Sequence, residues 1–142
     1  MPLGRRVTIV GADLAAVELA EFLAGRGRRV SVLESGETIA PEVGPKRRAE
    51  HMERLDRARV PVNTGVAIDR ITRQGVVLRR ESGAETLVRA DSVILAGGVE
   101  PDTSLFDALR ERMPEVHAVG DCTGLGLIQK ATLDGARAAC AL

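Results

Sequence analysis

A strand–helix–strand pattern near the start of the chain limits the possible folds more than any other feature. Residues 6–10 form a β-branched run that ends at Gly11, and residues 14–25 carry apolar side chains at helical spacing. A second β-branched run over residues 30–33 follows the glycines that end this helix. Two strands joined by so short a crossover helix are parallel. The sequence therefore predicts an α/β fold with a Rossmann-like parallel sheet and helices on both of its faces.

The middle of the chain changes its hydrophobic period. A loop over residues 35–45 and a charged helix over residues 46–59 lead to a short strand that begins at Pro61. From residue 66 to residue 89 apolar and polar side chains alternate, and glycines stand at two turn positions. This alternation predicts a three-stranded antiparallel meander.

The last third of the chain begins with residues 92–95, which are almost wholly apolar, as in a buried parallel strand. We predict a helix over residues 103–112, a short strand over residues 116–119 and a closing helix over residues 128–141. An unpaired apolar strand invites association. We therefore expect the strand at 116–119 to join the chain's own sheet or to exchange into a second copy.

Length and charge exclude several classes of function. The chain has 142 residues, which suits one domain, and its 20 basic residues balance its 20 acidic ones. This balance removes the main argument for a nucleic acid or an anionic membrane as partner. No apolar run reaches the about 18–20 residues of a membrane span. Cys122 and Cys140 lie in no metal-binding motif and two histidines stand alone, so we expect no metal, reduced thiols and a cytoplasmic location.

The turn after the first strand has part of a dinucleotide-binding pattern. Such a turn reads G-x-G-x-x-G, with glycines for the tight turn, for backbone approach to the pyrophosphate and for close helix packing. Residues 11–16 read GADLAA, so Gly11 fits and Ala16 is a tolerated third position. Asp13 takes the place of the second glycine.

Asp13 supports two opposite interpretations. Its carboxylate would repel a pyrophosphate by about 4 kcal/mol per charge pair, at about 4 Å and an effective dielectric near 20. Aspartate is also a preferred helix N-cap, which accepts N–H groups that would otherwise bind phosphate. Either the chain fills this anion site with its own side chain, or the site still binds a nucleotide weakly.

Glu34 lies 23 residues after Gly11, at the end of the second predicted strand. An acid at this position of a dinucleotide fold accepts the ribose hydroxyls of NAD, and it repels the 2′-phosphate of NADP. No arginine follows in Ser35 and Gly36. We therefore expect NADH to be favoured over NADPH, the alternative being a solvated acid at a strand end.

Four segments in one order resemble a known group of enzymes. They read RRVTIVGADLAAVELAEFLAGRGRRVSVLES, RADSVILAGGVEPDTSL, VHAVGDC and ATLDGARAA. They resemble the C-terminal part of flavin-dependent NAD(P)H oxidoreductases, within the pyridine nucleotide-disulfide oxidoreductase superfamily. The resemblance is closest to the group of 2,4-dienoyl-CoA reductase, trimethylamine dehydrogenase and NADH:flavin oxidoreductases of the old yellow enzyme type.

The resemblance implies an NAD(P)H domain inserted in a flavin-binding domain. It assigns residues 1–115 to the NAD(P)H domain and residues 116–142 to the segment that returns to the flavin domain. Ordinary turn and helix-cap roles are the alternatives at the glycine pair and at the acid of the return segment. The cofactor-binding residues carried over are Gly11, Ala12, Asp13 and Leu14 for the pyrophosphate turn, Glu34 for the ribose, Ala96, Gly97 and Gly98 for backbone approach, and Gly120 and Asp121 for FAD.

The resemblance also implies what other sequence must supply. The flavin domain's first strand, the catalytic barrel, the iron–sulfur cysteines and a redox-active cysteine pair have no counterpart here, and no residue is a credible catalytic acid, base or nucleophile. In such enzymes NADH and FAD or FMN carry the chemistry. We therefore expect a piece of an NADH-dependent flavoenzyme that is not competent alone. The alternatives are a degenerate module that binds ADP or nothing, and a structural role with a homodimer through residues 116–142.

Overall fold

The computed structural model describes residues 3–80 and 82–141. These residues form two compact units, one up to Gly97 and one from Gly98 onward. The strands are β1 (Arg6–Val10), β2 (Arg29–Leu33), β3 (Val62–Asn63), β4 (Ala67–Thr72), β5 (Gly75–Arg79), β6 (Glu85–Arg89) and β7 (Ser92–Leu95). The helices are α1 (Leu14–Gly25), α2 (Pro45–Arg57), α3 (Ser104–Arg110) and α4 (Leu127–Ala141), with a 3-10 turn over Gly120–Thr123.

The first unit is built on a four-stranded sheet in the order β3-β2-β1-β7, with every pair parallel. The strand order of a doubly wound dinucleotide fold begins 3-2-1-4, and β7 takes the fourth place here. The antiparallel meander β4-β5-β6 forms a second sheet and stands in the chain between β3 and β7. The predicted Rossmann-like α/β fold with a three-stranded meander is therefore confirmed.

One apolar cluster holds α1 and α2 against the parallel sheet. Side chains that alternate along β1 and β2 point into it, and α1 contributes mainly small residues, which let the helix approach the strands closely. Burial of each large aliphatic side chain contributes about 1.5–3 kcal/mol. Both helices therefore pack on one shared apolar cluster. The cluster includes Val7, Ile9, Val30 and Val32 of the strands, Ala16, Val17, Ala20 and Leu23 of α1, and Leu55 of α2.

A buried histidine ties α2 to α1. His51 is 2% exposed, and its Nδ1 lies 2.6 Å from Oε1 of Glu21 on α1. The second oxygen of Glu21 accepts a hydrogen bond of 3.2 Å from Arg54. Within the described residues, Nε2 of His51 has no hydrogen-bond partner. The histidine thus acts as a core residue that links two helices.

The prediction of a parallel strand at residues 92–95 is confirmed, but the expectation that this strand is buried is wrong. β7 lies at the edge of the parallel sheet and is only half-buried, and Leu95 is 71% exposed. An apolar run of this length indicates a strand with few polar side chains. It does not distinguish a central strand from an edge strand.

The second unit contains α3, the 3-10 turn and α4, and the two predicted helices are confirmed within two residues of their ends. The predicted strand at 116–119 is wrong, because residues 115–119 are irregular and belong to neither sheet. A strand exists only where a neighbour accepts and donates its backbone hydrogen bonds, and sequence pattern cannot show that neighbour. None of the described helices is long and apolar enough to cross a membrane.

The apolar side chains of the second unit are largely exposed. Neither α3 nor α4 has a buried residue among those described, and Leu105 and Ile128 are 70% and 82% exposed. These two helices therefore contribute no buried apolar core among the described residues.

Candidate functional site

The glycine-containing turn lies where the carboxyl ends of three parallel strands meet. Gly11 follows β1, and its N–H donates to the carbonyl of Leu33 at the end of β2 over 2.8 Å. Ala96 follows β7, and its N–H donates to the carbonyl of Val10 over 2.7 Å. Ligands of open α/β sheets bind outside these carboxyl ends.

Gly11 cannot be replaced without distortion. Its φ of 101° lies in a region that L side chains rarely adopt. A Cβ at this position would also overlap the carbonyl oxygen of Ala96. The role expected of the first motif glycine, a tight turn without a side chain, therefore agrees with the geometry.

The carboxylate of Glu34 is fixed against this turn. Its Oε2 accepts the N–H of Ala12 over 2.7 Å, and its Oε1 accepts the N–H of Gly36 over 2.7 Å. A carboxylate has about four acceptor sites. Glu34 is thus oriented by two backbone donors and keeps acceptor capacity toward a ligand.

Asp13 caps α1. Its Oδ1 accepts the N–H of Ala16 over 2.7 Å, and its extended backbone matches an N-cap residue. Its Oδ2 faces Gly97, since a Cβ built on that glycine would lie 3.6 Å from this oxygen. One donor of the helix N-terminus is therefore already occupied by the chain itself.

Glu42 belongs to the same cluster and was not found from sequence. Its Oε1 accepts the N–H of Leu14 over 3.3 Å. The residue lies in the loop before α2, 28 positions from its partner, and no motif or spacing marks it. Three carboxylates, those of Asp13, Glu34 and Glu42, thus accept backbone N–H groups of the turn and of the first turn of α1.

The structure divides the ten predicted site residues between its two units. Seven of them meet at the carboxyl edge of the sheet: Gly11, Ala12, Asp13, Leu14, Glu34, Ala96 and Gly97. Three belong to the second unit: Gly98, Gly120 and Asp121.

The 3-10 turn of the second unit is held by α4. The N–H of Gly120 donates to Asp134 over 3.3 Å, and Nζ of Lys130 donates to the carbonyl of Gly120 over 2.8 Å. Lys130 also hydrogen-bonds Asp134 and lowers the pKa of that carboxyl group. Gly120 is buried and Asp121 is exposed, so the turn presents the acid to solvent.

The strand order and the turn define a Rossmann-like domain of the dinucleotide-binding type. The sequence profile of the pyridine nucleotide-disulphide oxidoreductases matches residues 1–135. The chain belongs to this family, which confirms the resemblance at the level of the superfamily.

Known proteins similar to the chain are much longer than it is. The chain is 28% identical over 130 residues to an NADH oxidase of Thermoanaerobacter brockii, and 35% identical over 122 residues to a bilirubin reductase of Mediterraneibacter gnavus. These matches cover 91% and 86% of this chain. A solved 2-naphthoyl-CoA reductase in complex with 2-naphthoyl-CoA is 30% identical, with a TM-score of 0.87 over 95% of this chain. The chain spans about a fifth of these proteins, at 20%, 19% and 21% of their lengths.

Proposed function

We propose that the chain is the NADH-binding domain of a flavin-dependent oxidoreductase, and that it places NADH for hydride transfer to a flavin held by other sequence. The observation that carries the proposal is the fixed carboxylate of Glu34 beside the turn at Gly11. An oriented acceptor at the end of β2 fits the ribose hydroxyls of NAD.

The residues at the carboxyl edge of the sheet fit a dinucleotide in two respects. Gly11 permits the tight turn that leads from β1 into α1 at the carboxyl edge of the sheet. The charge of Glu34 opposes a 2′-phosphate, which favours NADH over NADPH. NADH supplies the hydride when bound, and the residues of this chain bind and orient it.

A narrower relationship is part of the same proposal. We infer that the parent enzyme belongs to the group of 2,4-dienoyl-CoA reductase and NADH:flavin oxidoreductases. The TM-score of 0.87 and 30% identity to the 2-naphthoyl-CoA reductase support this inference. In this proposal residues 1–115 form the NAD(P)H domain, and residues 116–142, with Gly120 and Asp121, return the chain to the flavin domain. The exposed Leu105 and Ile128 support a parent protein whose other parts cover the second unit.

A second candidate function rests on the carboxylates at α1. Asp13 and Glu42 already accept the N–H groups of Ala16 and Leu14. A pyrophosphate that needed these donors would have to displace two negative charges. On this alternative the chain is a degenerate module that binds ADP weakly or binds no nucleotide.

The experiment is a fluorescence titration of NADH and NADPH with the 142-residue chain. The chain has no Trp and no Tyr, so protein emission hardly interferes with the nicotinamide signal. We expect NADH to bind more tightly than NADPH, and Glu34→Ala to weaken NADH binding and remove the discrimination.

Glu37→Ala is the matched control, because Glu37 is an exposed acid in the same loop. Melting temperatures of both variants separate lost binding from lost folding. Equal affinities of the wild-type chain for NADH and NADPH, unchanged by Glu34→Ala, would contradict the assigned role. Binding of neither nucleotide would favour the degenerate module.

A further inference from the structure

The amino edge of the parallel sheet carries a cavity lined by arginines. It is an open cavity of about 450 Å³, and Val7 and Val30 form part of its wall. Arg6 and Arg29 begin β1 and β2, so the cavity lies at the sheet edge opposite to the turn at Gly11. The lining arginines are Arg6, Arg28, Arg29, Arg59 and Arg89.

The arginines come from separate parts of the first unit. Arg6 and Arg29 are register partners on β1 and β2. Arg28 precedes β2 and hydrogen-bonds the carbonyl of Gly4 over 3.3 Å. Arg59 lies between α2 and β3, and Arg89 is the last residue of β6. The tertiary fold, rather than a basic stretch of sequence, brings the positive charges together.

Only part of this charge is neutralised. Asp91 accepts hydrogen bonds from Nη2 and Nε of Arg6 over 2.6 and 3.1 Å, which lowers the pKa of the Asp91 carboxyl group. For the other four lining arginines, no carboxylate among residues 3–80 and 82–141 lies within ion-pair distance. None of the described residues that line the cavity is acidic. Four positive charges therefore face the same volume.

The backbone at Arg59 adds a second observation. This residue has a φ of 56° and directly follows Ala58, the C-cap residue of α2. Glycine is the usual residue in this left-handed position, and α1 has Gly27 with a φ of 76° just after its own C-cap. The left-handed backbone conformation is unfavourable for an arginine. Glycine would end the helix at this position without that cost.

We propose that this cavity binds a small molecule through a phosphate or pyrophosphate group, at a site separate from the turn at Gly11. The planar guanidinium groups of arginines bind phosphate oxygens in pairs. A concave volume of this size matches the lower range of small-molecule sites, at about 300–1,000 Å³. This concavity favours a compact phosphorylated molecule over an extended polyanion.

The test is calorimetric titration of inorganic pyrophosphate into the full chain at two salt concentrations. Arg59→Gly removes one guanidinium and also relieves the left-handed backbone, so its melting temperature should equal or exceed that of the wild-type chain. We expect one bound pyrophosphate and at least about tenfold weaker binding in Arg59→Gly and in Arg89→Ala, because each loses a charge-assisted contact. Arg112→Ala removes an exposed arginine outside the cavity and should leave the affinity unchanged.

Two outcomes would contradict the proposal of an anion site in this cavity. One is no measurable heat, or an affinity that is the same in all four proteins. The other is pyrophosphate binding that NADH displaces and that Arg59→Gly leaves intact, which would place the anion at the turn at Gly11. Since the two sites lie at opposite edges of the sheet, Arg59→Gly should not alter NADH affinity, and failure of one proposal is distinguishable from failure of the other.

Discussion

The charge of Asp13 opposes nucleotide binding, so its removal should tighten the binding of NADH. The Asp13 carboxylate accepts the N–H of Ala16 over 2.7 Å, and an oxygen of a bound pyrophosphate would otherwise accept this N–H. Asparagine caps helices as well as aspartate does. Asp13→Asn therefore removes the charge and preserves the cap.

The magnitude follows from Coulomb's law. One charge pair at about 4 Å repels by about 4 kcal/mol at an effective dielectric near 20. Asp13 is half-buried, and salt screens charges over a Debye length of about 8 Å at physiological ionic strength. Halving the repulsion leaves about 2 kcal/mol, which corresponds to about 30-fold in Kd.

The assay is the nicotinamide fluorescence titration, applied to a series at position 13. We expect Asp13→Asn to bind NADH about 30-fold more tightly. Asp13→Gly should bind at least as tightly, because it also frees the N–H of Ala16. Asp13→Ala should lose about 0.5–2 kcal/mol of unfolding free energy with its cap, as measured by urea denaturation.

Asp56→Asn is the control, because it removes the same charge from an exposed position on α2. Affinities within twofold of the wild-type value for both Asp13→Asn and Asp13→Gly would refute the repulsion argument. The degenerate module would then need a different explanation.

Three further outcomes follow from the first unit. Gly11→Ala should lower the unfolding free energy by at least about 1–3 kcal/mol in urea, because its Cβ meets the carbonyl of Ala96 at an unfavourable φ; an unchanged urea midpoint would contradict this. His51→Ala should cost about 2–4 kcal/mol, since it leaves a cavity between α1 and α2 and removes the partner of Oε1 of Glu21; a Tm equal to that of the wild-type chain would disprove the role. Arg6 lowers the pKa of Asp91, so this pair stabilises the fold at neutral pH, and its contribution disappears as the pH falls below the ordinary carboxyl range through the lowered pKa. The difference in urea midpoint between the wild-type chain and Asp91→Asn should therefore shrink as the pH falls through and below the ordinary carboxyl range, and a constant difference would exclude this linkage.

Much of the fold was predictable, because local patterns specify it. The period-two alternation over residues 66–89 identifies the meander, and the apolar runs that flank α1 identify the βαβ unit. These patterns act through side-chain direction, which depends only on the local backbone. The motif around Gly11 was predictable for the same reason, since its geometry is set within one strand–turn–helix segment.

The predictions that were wrong concern the pairing of distant segments. Residues 116–119 have a strand-like sequence but no neighbour to pair with in the described sheets. Residues 92–95 are apolar enough for a central strand, yet β7 lies at an edge. Hydrogen-bond partners and burial are properties of the assembled chain, and no local window contains them.

The sequence by itself determined the order of strands and helices in the first unit, the glycine at position 11 and the family. The tertiary structure decided which charges face each other. It placed Glu42 on the N–H of Leu14, and it gathered four arginines, without an ion-pair partner in the described part of the chain, at the opposite edge of the sheet. Spacing along a chain fixes the local direction of a side chain, whereas electrostatic energy depends on distances that only the folded chain defines.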